Sequence, residues 1–89
     1  MLTDYIKAAL KRAKYSILED DGTFFGEVPE IEGAWGNAPT LEECRDDLES
    51  AIEDWLLISF QHRLPIPIID DIDLNPKREV VELEADQPA

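Results

Sequence analysis

Residues 40–63 read TLEECRDDLESAIEDWLLISFQHR, and this stretch decides the fold. Thr40-Leu41-Glu42-Glu43 has the form of a capping box. In that motif the Thr40 hydroxyl accepts from the Glu43 amide while the Glu43 carboxylate reaches back to the helix start. Behind the box, Leu41, Cys44, Leu48, Ala51, Ile52, Trp55 and Leu56 recur at helical spacing. Glu42, Glu43, Asp46, Asp47, Glu49, Glu53 and Asp54 fall on the opposite arc. The pattern predicts one long, sharply two-sided helix whose apolar arc must rest on another layer. Leu64-Pro65-Ile66-Pro67 stops it, because proline lacks the amide donor and restricts the residue before it.

Upstream lies what the helix rests on. Lys14–Asp20 reads as a strand built on Tyr15, Ile17 and Leu18. Asp20-Asp21-Gly22-Thr23 is a turn, and Phe24–Val28 is the return strand, ended by Pro29. Glu30-Ile31-Glu32-Gly33 reads as a second turn and Ala34-Trp35-Gly36 as a short third strand. Ile17 lies opposite to Leu18 and Phe24 opposite to Phe25, so both sheet faces are expected to be covered, one by the second helix and the other by the first helix or a partner. At the start, Thr3 can cap a helix running to about Ala13, with Leu2, Tyr5, Ile6, Ala9, Leu10 and Ala13 on one side. So short a helix is marginal alone and is expected to dock on its own domain or on a neighbour. Downstream, Asp70-Asp71-Ile72-Asp73 reads as an acidic loop, Lys77–Glu84 as a last strand and Ala85–Ala89 as a tail.

Helix, three antiparallel strands, long helix, strand is an α+β order. The expected organisation is a single domain over 1–89: a helix at 1–13, a core at 14–69, and the acidic loop, strand and tail at 70–89. A chain of 89 residues supports one core, and 44% hydrophobic residues suffice to build it. The apolar run before Gln61-His62-Arg63 is too short to span a membrane, and the first residues lack the pattern of a signal peptide. A single cysteine, Cys44, cannot form an internal disulfide. A cytoplasmic location without membrane contact is the expectation.

Eight Lys and Arg against 21 Asp and Glu give a formal charge of −13. A field of that sign repels phosphate backbones and speeds encounters with basic partners. The charge is unevenly placed. Lys7, Lys11, Arg12 and Lys14 crowd the first fifteen residues, whereas Ser16 to Pro39 holds six acids and no base.

The middle of the chain resembles the HicB-like antitoxins. The residues that carry the resemblance run from Tyr15 to about Pro67. They include Gly26-Glu27-Val28-Pro29-Glu30-Ile31-Glu32-Gly33, then Trp35, then Thr40-Leu41-Glu42-Glu43-Cys44. Leu48, Ala51, Ile52, Trp55 and Pro65-Ile66-Pro67 follow. Their order and spacing, rather than any one piece, make the likeness specific. The resemblance implies a partial ribonuclease-H-like fold. It also implies a role, binding and silencing a small basic toxin that cleaves messenger RNA. Asn37-Ala38-Pro39 stands where family members commonly have glycine before the helix cap. Many members also carry a C-terminal DNA-binding module. After Pro67 this sequence offers one candidate strand and no helix, so a stand-alone member without direct operator binding is expected.

Ribonuclease-H-like enzymes hold magnesium between acids on a sheet. Here Asp20 and Asp21 sit at a turn and Asp70, Asp71 and Asp73 in a loop, which reads as solvated surface. Cys44 reads as core packing, and His62, near the helix C-terminus, as a complement to its negative end. The expectation is a protein with no catalytic residues, metal or cofactor.

The candidate partner-binding face is the acidic arc Glu42, Glu43, Asp46, Asp47, Glu49, Glu53 and Asp54. Leu57 and Phe60 leave the core arc of the same helix and, with Val80, Val81 and Leu83 of the last strand, form a candidate oligomer interface. The expected function is a HicB-like antitoxin-type protein that neutralises a small basic mRNA-cleaving toxin and assembles as a dimer or higher oligomer. The alternative is a small homo-oligomeric regulatory domain with no toxin partner.

Overall fold

Three short strands joined by tight turns have no chain to spare for crossovers, so they pair in sequence order. The computed structural model describes residues 1–76, in the order α1 (Leu2–Lys11), β1 (Lys14–Ile17), β2 (Phe24–Val28), β3 (Ile31–Ala38) and α2 (Leu41–His62). The strands form one antiparallel sheet, β1-β2-β3, with Ser16 opposite Phe25 and Phe25 opposite Asn37. This is the α+β architecture that the sequence predicts.

The strands differ from expectation at two places. β1 stops at Ile17 rather than Asp20, because the turn begins at Leu18: its amide donates to the Thr23 carbonyl at 2.8 Å and its carbonyl accepts from the Gly22 amide at 2.8 Å. Gly22 supplies the positive φ, +73°, that this turn requires. The second correction is larger. Glu30–Gly33 is not a turn; the chain reverses over Pro29 and Glu30, and β3 runs eight residues from Ile31. Pro29 pre-sets its own φ for the reversal, and the demand to bury Ile31, 1% exposed, pulls the following residues into the ladder. A register irregularity between Glu27 and Val28 absorbs the extra residues of β3.

α2 lies across one face of this sheet. Its start is fixed by the capping box: the Glu43 amide donates to Thr40 Oγ1 at 3.1 Å, and the Thr40 hydroxyl lies 3.0 Å from Glu43 Oε1. Its end is fixed by Arg63 at φ 55°, with the Leu64 amide returning to the Ser59 carbonyl at 2.9 Å. Cys44, Leu48, Ile52, Leu56 and Ser59 are buried on the inner side. Contact with β3 is backbone to backbone at Gly36, where a Cβ would stand 2.6 Å from the Leu48 amide nitrogen.

α1 packs against α2 within its own domain and enters the same core as Val28, Ile31, Leu48, Ile52, Leu56, Ile66 and Ile69. Thr3 does not cap it. The helix starts earlier, at Leu2 with Met1 as its cap, because the Tyr5 amide reaches the Met1 carbonyl at 2.9 Å. It closes at Lys11, so the half-buried Ala13 lies beyond it. Two long-range ties hold it. The Tyr5 hydroxyl donates to the Pro67 carbonyl at 2.7 Å, and Arg12 donates to Glu30 at 2.9 Å and to Asp70 at 2.6 Å. Asp70 and Asp71, both at positive φ, make a two-residue reversal between the bridged Ile69 and Ile72, where the sequence suggested an open acidic loop.

Of the two covers expected for the second sheet face, α1 is not the one. α1 sits beside α2 in one core instead of crossing behind the sheet, and among the described residues nothing covers the outer face. There Phe25 stacks on Trp35 at 6.0 Å between ring centroids, and Trp35 is 57% exposed. No helix of the described residues is long and apolar enough to cross a membrane. The expected strand Lys77–Glu84, with Val80, Val81 and Leu83, lies outside the described residues.

Candidate functional site

The seven acids of α2 share a helix but not a role. Glu43 is held in the capping box, and the Asp47 carboxylate accepts from the Asn37 amide of β3 at 2.9 Å. Asp47 thus caps an edge donor of the sheet and helps fix where α2 crosses it. Glu49 is half-buried, while Glu42, Asp46, Glu53 and Asp54 are exposed. At about 100° per residue, Glu42, Asp46, Glu49 and Glu53 fall on one ridge, at spacings of four, three and four. Among the described residues none of the seven is in a salt bridge; those bridges lie at Met1–Asp4, Arg12–Glu30 and Arg12–Asp70. Three carboxylates of the ridge, Glu42, Asp46 and Glu53, therefore face water, with Glu49 half-buried among them, on a rigid, doubly capped helix.

Farther along α2 the surface changes character. Leu57 is 57% exposed and Phe60 41%. With Leu56 and Glu53 they face Leu2 and Ile6 of α1 across a groove of about 120 Å³. The structure thus brings together Leu57 and Phe60 of the expected interface, and Val80, Val81 and Leu83 lie outside the described residues. Leu2 and Ile6 were not singled out for this surface by sequence reasoning, since both fit the core-facing arc of a short amphipathic helix. The Phe25–Trp35 pair was missed because Trp35 was read as the middle of a strand only three residues long, Ala34-Trp35-Gly36, too short to fix its register against Phe25.

The other chemistry-bearing residues have local work. The Asp21 carboxylate accepts from the Thr23 amide at 3.0 Å and the Thr23 hydroxyl at 2.7 Å, which holds it below the usual carboxylate range. Asp73 is held low by the amide and side chain of Asn75. Asn75 in turn clasps both backbone groups of Ile66, each at 2.8 Å. Cys44 is buried with its thiol 3.6 Å from the Gly36 carbonyl. Burial, and then Asp47, push that thiol up and away from thiolate chemistry. α2 is continuous from Cys44 to His62, which sets the two roughly 27 Å apart at about 1.5 Å per residue. Among the described residues no three His, Cys, Asp or Glu side chains are placed to share a metal ion.

Comparison with known proteins adds a family. A family model described as UPF0150-like matches residues 4–67, and so takes in α1 as well as the sheet and α2. The crystal structure of the protein TTHA0281 from Thermus thermophilus is similar at a TM-score of 0.78 and 31% identity. The match covers 86% of this chain and 95% of that one. No curated protein matches the chain.

Proposed function

Since the chain belongs to the UPF0150-like family, we propose that it acts as an antitoxin of the HicB-like type, binding and neutralising a small basic protein that cleaves messenger RNA. The observation that carries this reading is the exposed carboxylates of α2, Glu42, Asp46, Glu53 and Asp54, without a salt bridge among the described residues, on a chain of charge −13. An RNA-cleaving protein needs cations to hold phosphates. A row of carboxylates on a rigid helix competes for those cations and steers the encounter. The role is one of binding, with no chemistry of its own, and belongs in the cytoplasm, where the message is. No direct contact with operator DNA is part of it.

The test is association with the basic protein encoded beside this one. Glu42, Asp46 and Asp54 reversed together to Lys should lower the on-rate by about tenfold or more at low salt. They avoid the structural Glu43 and Asp47. An unchanged on-rate, or no basic protein encoded nearby, would remove the reading. Manganese- or magnesium-dependent RNA cleavage lost on Asp20→Asn or Asp21→Asn would replace it with an enzymatic one. A second reading, a self-associating regulatory domain without a toxin, is favoured by the apolar groove between α1 and α2.

A further inference from the structure

The outer face of the sheet carries a platform that takes no part in the core. Cross-strand partners share a face, so the pairs Lys14–Glu27, Glu27–Trp35, Ser16–Phe25 and Phe25–Asn37 all lie on the side away from α2. Gly26 and Gly36, which meet Tyr15 and Leu48, mark the opposite side. Phe25 stacks on Trp35 with 27° between the ring planes, which occupies one face of the indole. Trp35 is still more than half exposed. Glu27 stands directly across the ladder from it, exposed and without a salt bridge among the described residues. The row runs Lys14, Glu27, Trp35, with the carboxylate next to the ring and the lysine beyond it.

Charge decides what such a platform takes. An exposed aromatic ring either stacks on a nucleic-acid base or receives a cation. A nucleic-acid base brings a phosphate backbone, which needs cations beside the ring. Residues 16–39, which include both aromatics, hold six acids and no basic residue. Lys14 is the one cation on the three strands, and Glu27 lies between it and Trp35. A ring with an open π face and a carboxylate at its side suits a cation instead. An ammonium meets either group only as a point charge. A guanidinium is flat, so it can lie on the indole while its edge pairs with the carboxylate. We propose that Trp35 and Glu27 form a docking site for an arginine side chain on an exposed segment of a basic partner protein. Phe25 backs the indole and fixes its place on the sheet.

The site is on the opposite side of the sheet from α2, and it stands whether or not the partner cleaves RNA. The measurement is binding of two peptides of equal length to the full chain at physiological salt, one alternating Arg and Gly, the other Lys and Gly. A net charge of −13 attracts both alike, so the ratio of their affinities is the readout. The arginine peptide is expected to bind about threefold tighter, and to shift the amide resonances of Phe25, Glu27 and Trp35. Trp35→Ala should bring the ratio to about one, and Trp35→Phe should keep part of it. Glu27→Gln should weaken the arginine peptide by about threefold. Lys14→Gln should tighten it, because a competing cation at Glu27 is gone. Circular dichroism of these variants should match wild type, since the three side chains are exposed. Glu42, Asp46 and Asp54 reversed together to Lys should weaken both peptides and leave the ratio unchanged, which separates failure of this site from failure of the antitoxin reading. A ratio of one in the wild type overturns the proposal, as does a preference that survives Trp35→Ala. A dimer that dissolves on Trp35→Ala assigns the face to a second copy and overturns it. So does a preference that appears only after Lys77→Gln with Arg78→Gln, which assigns the face to the chain's own end.

Discussion

The two halves of α2 meet the rest of the molecule in opposite ways. From Glu42 to Ile52 the helix is polar outside and apolar inside, and its backbone lies so near β3 that a methyl at Gly36 would stand 2.7 Å from the Cys44 carbonyl oxygen. From Glu53 to His62 it is apolar on both sides. Leu56 is buried, while Leu57 and Ile58 are 57% and 50% exposed, and the neighbour on that flank is the short α1. One regular helix thus supplies the anchor of the fold with its first half and surplus apolar surface with its second. Burial alone accounts for the first half; the second carries more apolar side chain than its own domain covers among the described residues.

The sharpest way to break this contrast is Gly36→Ala. Backbone atoms that cannot swing aside would have to move, so a loss of about 3 kcal/mol in urea unfolding is expected. A loss below about 1 kcal/mol would show that the first half is not tightly seated. The next effect tests what holds α1 beside the second half. Burial first, and then Glu30, push the Tyr5 phenol up to about 12. The folded value lies above the unfolded one near 10, so the neutral phenol stabilises the fold fully below about pH 10, and that stability is lost as pH rises through about 12. Tyr5→Phe should flatten the fall in stability above pH 10, followed by fluorescence. At neutral pH it should cost about 1 kcal/mol for the lost bond to Pro67.

Two smaller effects complete the comparison. Thr40→Ala removes the cap of the first half and should cost about 1 kcal/mol in the same urea titration, with Thr40→Ser close to wild type. Leu57→Ala, in the second half, should change the stability of dilute protein by less than about 0.5 kcal/mol, because the side chain is largely in water. A larger loss would mean that Leu57 is already covered within a single copy.

The legible parts of the sequence were those with strong local signals. The capping box and the helical period placed α2 within a residue of its observed ends, and Phe24–Val28 was read without error. β3 was read at less than half its length because Gly33 and Gly36 look like breakers. Gly36 is there to admit the backbone of α2, a tertiary demand that no single segment reveals. That α1 does not cover the second sheet face escaped for the same reason: apolar residues on both sides of a strand show that cover is wanted, not what supplies it. Of the site, the acids of α2 and Leu57 with Phe60 were visible as departures from the core arc. Leu2 and Ile6 were not, because what makes them a bank of the groove is the angle at which α1 lies on α2. Nor could spacing show that Glu43 and Asp47 were already engaged.

The hydroxyl of Tyr5 reaches a carbonyl 62 positions away, and Arg12 reaches Asp70 across 58. Strand pairing and the seating of α2 on β3, by contrast, join segments adjacent along the chain. Short loops close at little entropic cost and long ones at more, so the meander and α2 can assemble while the chain's beginning is still loose. α1 is then the last element to arrive and the first to leave. Its amides should exchange with solvent through openings smaller than global unfolding, ahead of those at the centre of α2. Since α1 forms one bank of the groove, each such opening erases it. Whatever binds there recognises only molecules in which α1 is fastened to the segment Pro67–Asp70, and by mass action it slows the exchange of α1.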